Sequence, residues 1–355
     1  MNTEHIAHAM RNEEARQAMI WFNNPFDLLH WSMPLVEGLM IAGACLSLLH
    51  AVRSARREHD PAYVWTWLAT IFYGLIVELL SYNFVDNFWH GEFTVMLYYN
   101  HLPLYIAALY PAIVYPTFML VRRMGLANAP CGRLREAACA AFAMQMFYVP
   151  FDNMGPMLHW WVWDSAAVSL QPFWYSVPST SYLWASTLAM AFVVSARWLL
   201  WERARSRGYG VIGWSLSALG VGLATNLLSV LLQSPFTVLS QGFGRYFLAG
   251  AGTAILICVN AWIYRFRPRE AERPLDGWLR IFPLLWVSFF ACLYLYQTDV
   301  IFAAYVRGTS QLGTPAGNYA FAALGIVMVV LVYLTPARDD PRSRASTNAP
   351  EQPRR

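Results

Sequence analysis

Apolar runs of about twenty residues recur along this chain, and no other feature limits its fold so strongly. A helix rises about 1.5 Å per residue, so a run of that length crosses a hydrocarbon layer of about 30 Å. Inside such a layer the backbone N–H and C=O groups must be satisfied within the segment, which makes each run a helix. Nine runs meet the description, at about 31–52, 63–85, 101–121, 135–151, 180–201, 211–232, 244–264, 279–298 and 317–335. The expected fold class is therefore all-α, a polytopic transmembrane helical bundle of about nine spans. The fourth run is the shortest and ends at Pro150. The apolar piece "GPMLHWWVW" at 155–163 is too short to span, and its clustered Trp residues favour an interfacial or re-entrant position. Composition agrees: 57% of residues are hydrophobic and 13% charged, against about a quarter charged in a soluble domain.

Orientation follows from the arginines, which supply all 25 basic residues. Twenty-one of them fall in the connections after helices one, three, five and seven or in the C-terminal tail. Positive residues collect on the cytoplasmic side, so the N-terminus is expected outside and the C-terminus in the cytoplasm, in a membrane expected to be a bacterial plasma membrane. Three regions follow: a polar lead-in at 1–30, a single transmembrane helical domain at 31–336, and a disordered cytoplasmic tail at 337–355. The five cysteines are scattered and form no CxxC pair, so neither a disulfide framework nor a thiolate metal site is indicated.

Ionisable residues other than Arg gather near the outward ends of the early helices. The stretch "VELLSYNFVDNFWHGEF" spaces Glu78, Tyr82, Asp86 and His90 four apart, so a helix that persisted this far would carry them in one stripe. An acid within a transmembrane helix costs about 2.5–3.5 kcal/mol on insertion scales and usually faces protein or a water-filled cavity. Glu78 is on that ground the sharpest candidate, with a structural hydrogen bond to a neighbouring helix as the competing role. Glu37 stands alone in "MPLVEGL" and raises the same question. A second acidic cluster, Asp152, His159 and Asp164, falls in the next outward connection beside Trp161 and Trp163. The segment 86–101 adds Tyr98, Tyr99 and His101, but its spacing matches no metal-binding histidine motif, and an interfacial loop is the simpler account. No Gly-rich phosphate loop or Ser nucleophile elbow is present, and the basic runs are ordinary loops, so no nucleic-acid partner is expected.

Glu78, followed by "GEFTVMLYY" and Pro103, resembles the first signature of the membrane-bound carotenoid hydratases. "FDNMGP", "WWVWD" and "FWYSVP" are similar to the second signature of that family, in the same order. The likeness covers about residues 70–185 and rests on Glu78, Tyr98, Tyr99, Asp152, Trp161 and Trp163; Thr94 and Ser176 stand where that family has Gly. A looser likeness connects the chain to the membrane spirocyclases of polyketide biosynthesis.

Hydration and spiroketal closure share a chemical core, in which a carboxylic acid protonates an alkene or activates a hydroxyl and an oxygen captures the cation. The resemblance implies an acid, a second carboxylate or imidazole, and aromatic faces that stabilise positive charge. The expected catalytic residues are Glu78, Asp152, Asp86 and His90. Substrate contacts are expected from Tyr82, Tyr98, Tyr99, His159, Trp161 and Trp163, with no metal and no cofactor. The partners would be a lipophilic small molecule entering from the bilayer and the membrane lipids. Two other classes remain open. One is a carrier, transporter or scaffold; the other is a metal-dependent hydrolase or oxidase built on His90, His101 and His159 with Asp86 or Asp152.

Overall fold

In the computed structural model the described residues are 18–85, 87–126, 131–167, 170–171, 173–243, 245–265, 276–307, 317 and 319–334. Most of the lead-in, the whole tail and the candidate Asp86 lie outside them. Of the described residues 76% are helical, and each apolar run falls on a helix. The helices are α1 (Ser32–Glu58), α2 (Ala62–Leu80), α3 (Leu104–Arg123), α4 (Gly132–Met154) and α5 (Ser179–Ala196). They continue with α6 (Val211–Phe243), α7 (Arg245–Arg265), α8 (Gly277–Tyr296), α9 (Thr298–Arg307) and α10 (Tyr319–Val329). Turns of wider π geometry extend α2 over Ser81–Val85 and α5 over Arg197–Ala204. Among the described residues six helices are long and apolar enough to cross a membrane, so this is a membrane protein with an all-α bundle.

The layers follow from side-chain character. α3 packs against α1, α2 and α4 and is the most enclosed of the six apolar helices. α4 is rich in Ala and is enclosed by α3, α5, α7 and α10, with nearly every residue from Glu136 to Met154 buried. Small side chains suit such a position because they let neighbouring backbones approach closely. α6 instead leaves Ile212, Leu216, Leu223 and Leu227 exposed along one face, which suits contact with lipid. Pro150 does not end α4 as the sequence suggested. The helix runs on to Met154, where the Asn153 side-chain amide donates to the Val149 carbonyl, and the Tyr294 hydroxyl donates to the Pro150 carbonyl.

One end of the bundle holds the arginine-bearing helix ends, and the other is capped by short strands. Strand β2 (Phe88–His90) pairs antiparallel with β5 (Trp161–Trp163), so the apolar piece at 155–163 is a turn followed by a strand. Strands β1 (Ile20–Phe22), β3 (Val95–Leu97) and β4 (Leu102–Pro103) form a second ladder, and β6 (Phe173–Trp174) pairs with β7 (Val177–Pro178). Glu37 anchors this cap. Its two carboxylate oxygens accept the backbone N–H groups of Thr94 and Val95, both at 3.1 Å, which explains a lone acid in α1 without invoking chemistry.

Candidate active site

A cavity of about 80 Å³ lies beneath the β2–β5 ladder, among α2, α3, α4 and α5. That volume exceeds the 10–15 Å³ or so that one water needs on this measure. Its walls follow from helical spacing: Met144, Tyr148 and Phe151 recur on one face of α4, and Ile106, Leu109 and Tyr110 on one face of α3. Its roof follows from strand spacing. Side chains two apart on a strand share a face, so Phe88 and His90 of β2 and Trp161 and Trp163 of β5 all line the cavity, paired Phe88 with Trp163 and His90 with Trp161.

Glu78 is the acid in this wall, 7% exposed. Its Oε1 accepts the Tyr110 hydroxyl at 2.5 Å, while Oε2 lies 3.7 Å from His90 Nε2 and has no hydrogen-bond partner among the described residues. The hydroxyls of Tyr73, Tyr82, Tyr105, Tyr110 and Tyr148 all lie within electrostatic reach of this carboxylate. Two glycines make the packing feasible. A Cβ on Gly74 would sit 2.1 Å from the Tyr110 ring, and one on Gly155 would sit 2.1 Å from the Trp161 ring.

The four-residue stripe does not form as a helix. α2 ends at Leu80, the π turn widens the backbone, and the chain reverses into β2, which carries His90 back toward Glu78 by a different route. Tyr82 packs behind the roof, its ring about 6 Å from those of Phe88, His90 and His101. Tyr98 and Tyr99 are not in the wall. They turn between β3 and β4 with left-handed backbone, where Tyr98 exchanges hydrogen bonds with Asn83 and Tyr99 is exposed. His159 is buried in the turn before β5, also left-handed at φ 57°, and it does not line the cavity either. Burial lowers its pKa below the usual imidazole value. Asp152 is fully buried and lies outside the wall, accepting from Ser181 Oγ at 2.8 Å.

Among the residues that sequence reasoning missed are Tyr73, Tyr110, Tyr148, Phe151 and Trp184, each an aromatic within an apolar helix and there indistinguishable from core. The roof left a faint signal in the alternation of "FWH" and "WVW". Among the described residues, no group of three or more His, Cys, Asp or Glu side chains could hold a metal ion.

The fold and cavity define a class: a helical membrane protein with one acid set in an aromatic chamber under a strand roof. Residues 22–203, just over half the chain, match the model of a domain of unknown function, DUF7802, and the chain belongs to that family. The matched region includes every residue of the cavity wall, from Tyr73 to Leu188, and stops before α6. No curated protein and no solved structure matches the chain.

Proposed function

We propose that this protein is a cofactor-independent hydratase or cyclase acting on a lipophilic, isoprenoid- or polyketide-like molecule drawn from the bilayer. The observation that carries the proposal is the Glu78 carboxyl: one oxygen is held by Tyr110, and the other lies 3.7 Å from His90 without a hydrogen bond among the described residues, in the wall of an aromatic cavity. A group held this way keeps its orientation while leaving one oxygen available to carry a proton. That proton would pass to an alkene carbon, and the resulting cation would lie against Trp161, Trp163 and Phe151, whose ring faces attract positive charge. Water or an internal hydroxyl then closes the C–O bond. The resemblance to carotenoid hydratases in the same segments points to the same chemistry. In this proposal the chain crosses a bacterial plasma membrane about nine times, with its N-terminus and the strand-capped site on the outer side.

The test is mass spectrometry of apolar extracts from cells lacking the protein, cells carrying it, and cells carrying Glu78→Gln. The amide can still accept from Tyr110 but cannot give up a proton as an acid. A compound shifted by one water, or an isomer, is expected only with intact Glu78. Identical extracts from all three strains would end the proposal and favour a carrier or scaffold.

A further inference from the structure

From Met19 onward the chain ahead of α1 is no longer polar. Residues 19–31 hold one formal charge, Asp27, and the side chains of Phe22, Phe26, Leu29 and Trp31 are exposed, Phe26 at 92%. A second exposed set follows at the end of α8, where Tyr296 is the last residue and Phe302 and Val306 lie four apart on one face of α9. The two sets adjoin, because the Trp31 ring meets the Tyr296 ring edge-on at 5.3 Å. Single apolar side chains on a surface need no explanation, but a contiguous set marks a partner or a membrane.

The neighbouring helices decide for the bilayer. α8 has 20 residues, a length of about 30 Å, which crosses the hydrocarbon layer and puts Tyr296 at its boundary. α1, also apolar and long enough to span, begins at Ser32, directly after Trp31. α9 has 10 residues, too few to cross, with Asp299 and Arg307 at its ends and the exposed Phe302 and Val306 between them, which suits a helix lying in the plane of the membrane surface. β1 sets the depth. It is the edge strand of its ladder, so one side of its backbone has no neighbouring strand among the described residues. Backbone groups without partners are not tolerated in hydrocarbon, yet Ile20 and Phe22 on this strand expose apolar side chains. Only the boundary, with water and acyl chains both in reach, satisfies the two demands. The roof of the chamber shares this level: the indole N–H of Trp160, just ahead of β5, donates to Ser32 Oγ at 2.9 Å.

We infer that the strand-capped end is seated in the headgroup region of one leaflet, with residues 19–31 and α9 as the surface that docks on phospholipid. The roof then lies at headgroup level and the Glu78 chamber at the depth of the acyl chains. Asp27, Asp299 and Arg307 are the only formal charges of this surface, so apolar burial holds it rather than attraction to anionic lipid. The seat does not depend on the chemistry proposed above. A lipophilic ligand would meet Glu78 without leaving the hydrocarbon layer.

Two measurements on the full-length protein in vesicles test the seat. In wild type, carbene label from an apolar diazirine dissolved in phosphatidylcholine vesicles is mapped by mass spectrometry. Label is expected on Phe26 and Phe302 as on Leu223 of α6, with or without added phosphatidylglycerol. Phe26 and Phe302 left clear while Leu223 is labelled would overturn the inference, as would label that needs the anionic lipid. Label on Phe26 that falls as the protein-to-lipid ratio rises would overturn it too, by giving the surface to a second copy of the chain. The other measurement reads depth. Trp31 emission, taken as the difference between wild type and Trp31→Phe, is expected to lose more to lipid brominated near the glycerol end of its chains than to lipid brominated near the methyl end. No loss to either lipid, or a greater loss to the second, places Trp31 outside the headgroup region and the inference fails.

Discussion

The two ends of the bundle both bury polar groups and differ in how many of them are paired. At the arginine-bearing end, the Arg122 guanidinium lies 3.6 Å from the Trp201 ring centre and donates to the Tyr63 hydroxyl, which in turn donates to Glu58. Trp201 donates to Thr66, His50 bonds Tyr115, and Arg197 holds Glu136 through two hydrogen bonds. At the strand-capped end, Glu78 Oε2, both His90 nitrogens, the Tyr105 hydroxyl and the indole N–H groups of Trp161 and Trp163 make no hydrogen bond among the described residues, and Glu78 Oε2 meets His90 Nε2 only at 3.7 Å. An unpaired buried polar group costs about 1–3 kcal/mol. Satisfied polar groups lock helices together; unsatisfied ones that crowd one cavity keep their bonding capacity for something else. Polarity in a membrane bundle is thus uninformative until its partners are counted.

The contrast is sharpest if one end can be damaged without the other. Glu78→Gln should remove the metabolite by about 10²–10⁴-fold, the usual contribution of a general acid, while the thermal midpoint of the purified protein scarcely moves. Arg122→Ala should do the reverse. It loses the contact over Trp201 and is expected to cost about 2 kcal/mol of stability, seen as a lower midpoint, with product per folded molecule unchanged. Gly74→Ala should affect both. The new methyl displaces the Tyr110 ring and with it the hydrogen bond on Glu78, costing about 1–3 kcal/mol and part of the activity. A Gly74→Ala protein of normal midpoint and normal product would show that Tyr110 does not hold the acid.

The smallest expected effect concerns His159. Its folded-state pKa lies below 6.5, so as pH falls through that value the unfolded chain binds a proton that the folded chain refuses. Stability should therefore decline with falling pH below about 6.5 until the folded-state pKa is reached. Denaturation midpoints of wild type and His159→Gln across that window should diverge toward acid, and parallel curves would remove His159 as the cause.

Much of this was legible in the sequence for a simple reason: helix length and the cost of charge in an apolar layer are strong, local signals. They mark the helices and single out Glu78. Local signals failed where the outcome depended on a distant partner. Glu37 and Glu78 look alike as lone acids in apolar helices, and what separates them is that backbone amides from 94 and 95 reach one and a tyrosine from α3 reaches the other. Tyr98 and Tyr99 sit in a matching motif yet turn away, because three successive left-handed residues from Tyr98 to Asn100 reverse the strand there. Asp152 was visible as an acid, but its place outside the cavity wall, bonded to Ser181, was not. Strands of three residues inside a loop are likewise too short for alternation to stand out from chance.

The roof also has a consequence for biosynthesis. β2 precedes α3 and β5 follows α4, so about seventy residues separate the partners of the ladder that covers Glu78. Helices can enter a bilayer one after another and associate later, but this ladder cannot close until α3, α4 and the turn after them have all been made. A ribosome-bound chain that already carries Glu78 has its acid in place with no chamber around it, and the chamber is assembled only near the end of the DUF7802 segment. Under the proposed function, reactive chemistry in the membrane would thereby be withheld from unfinished chains by the order in which the sequence is read.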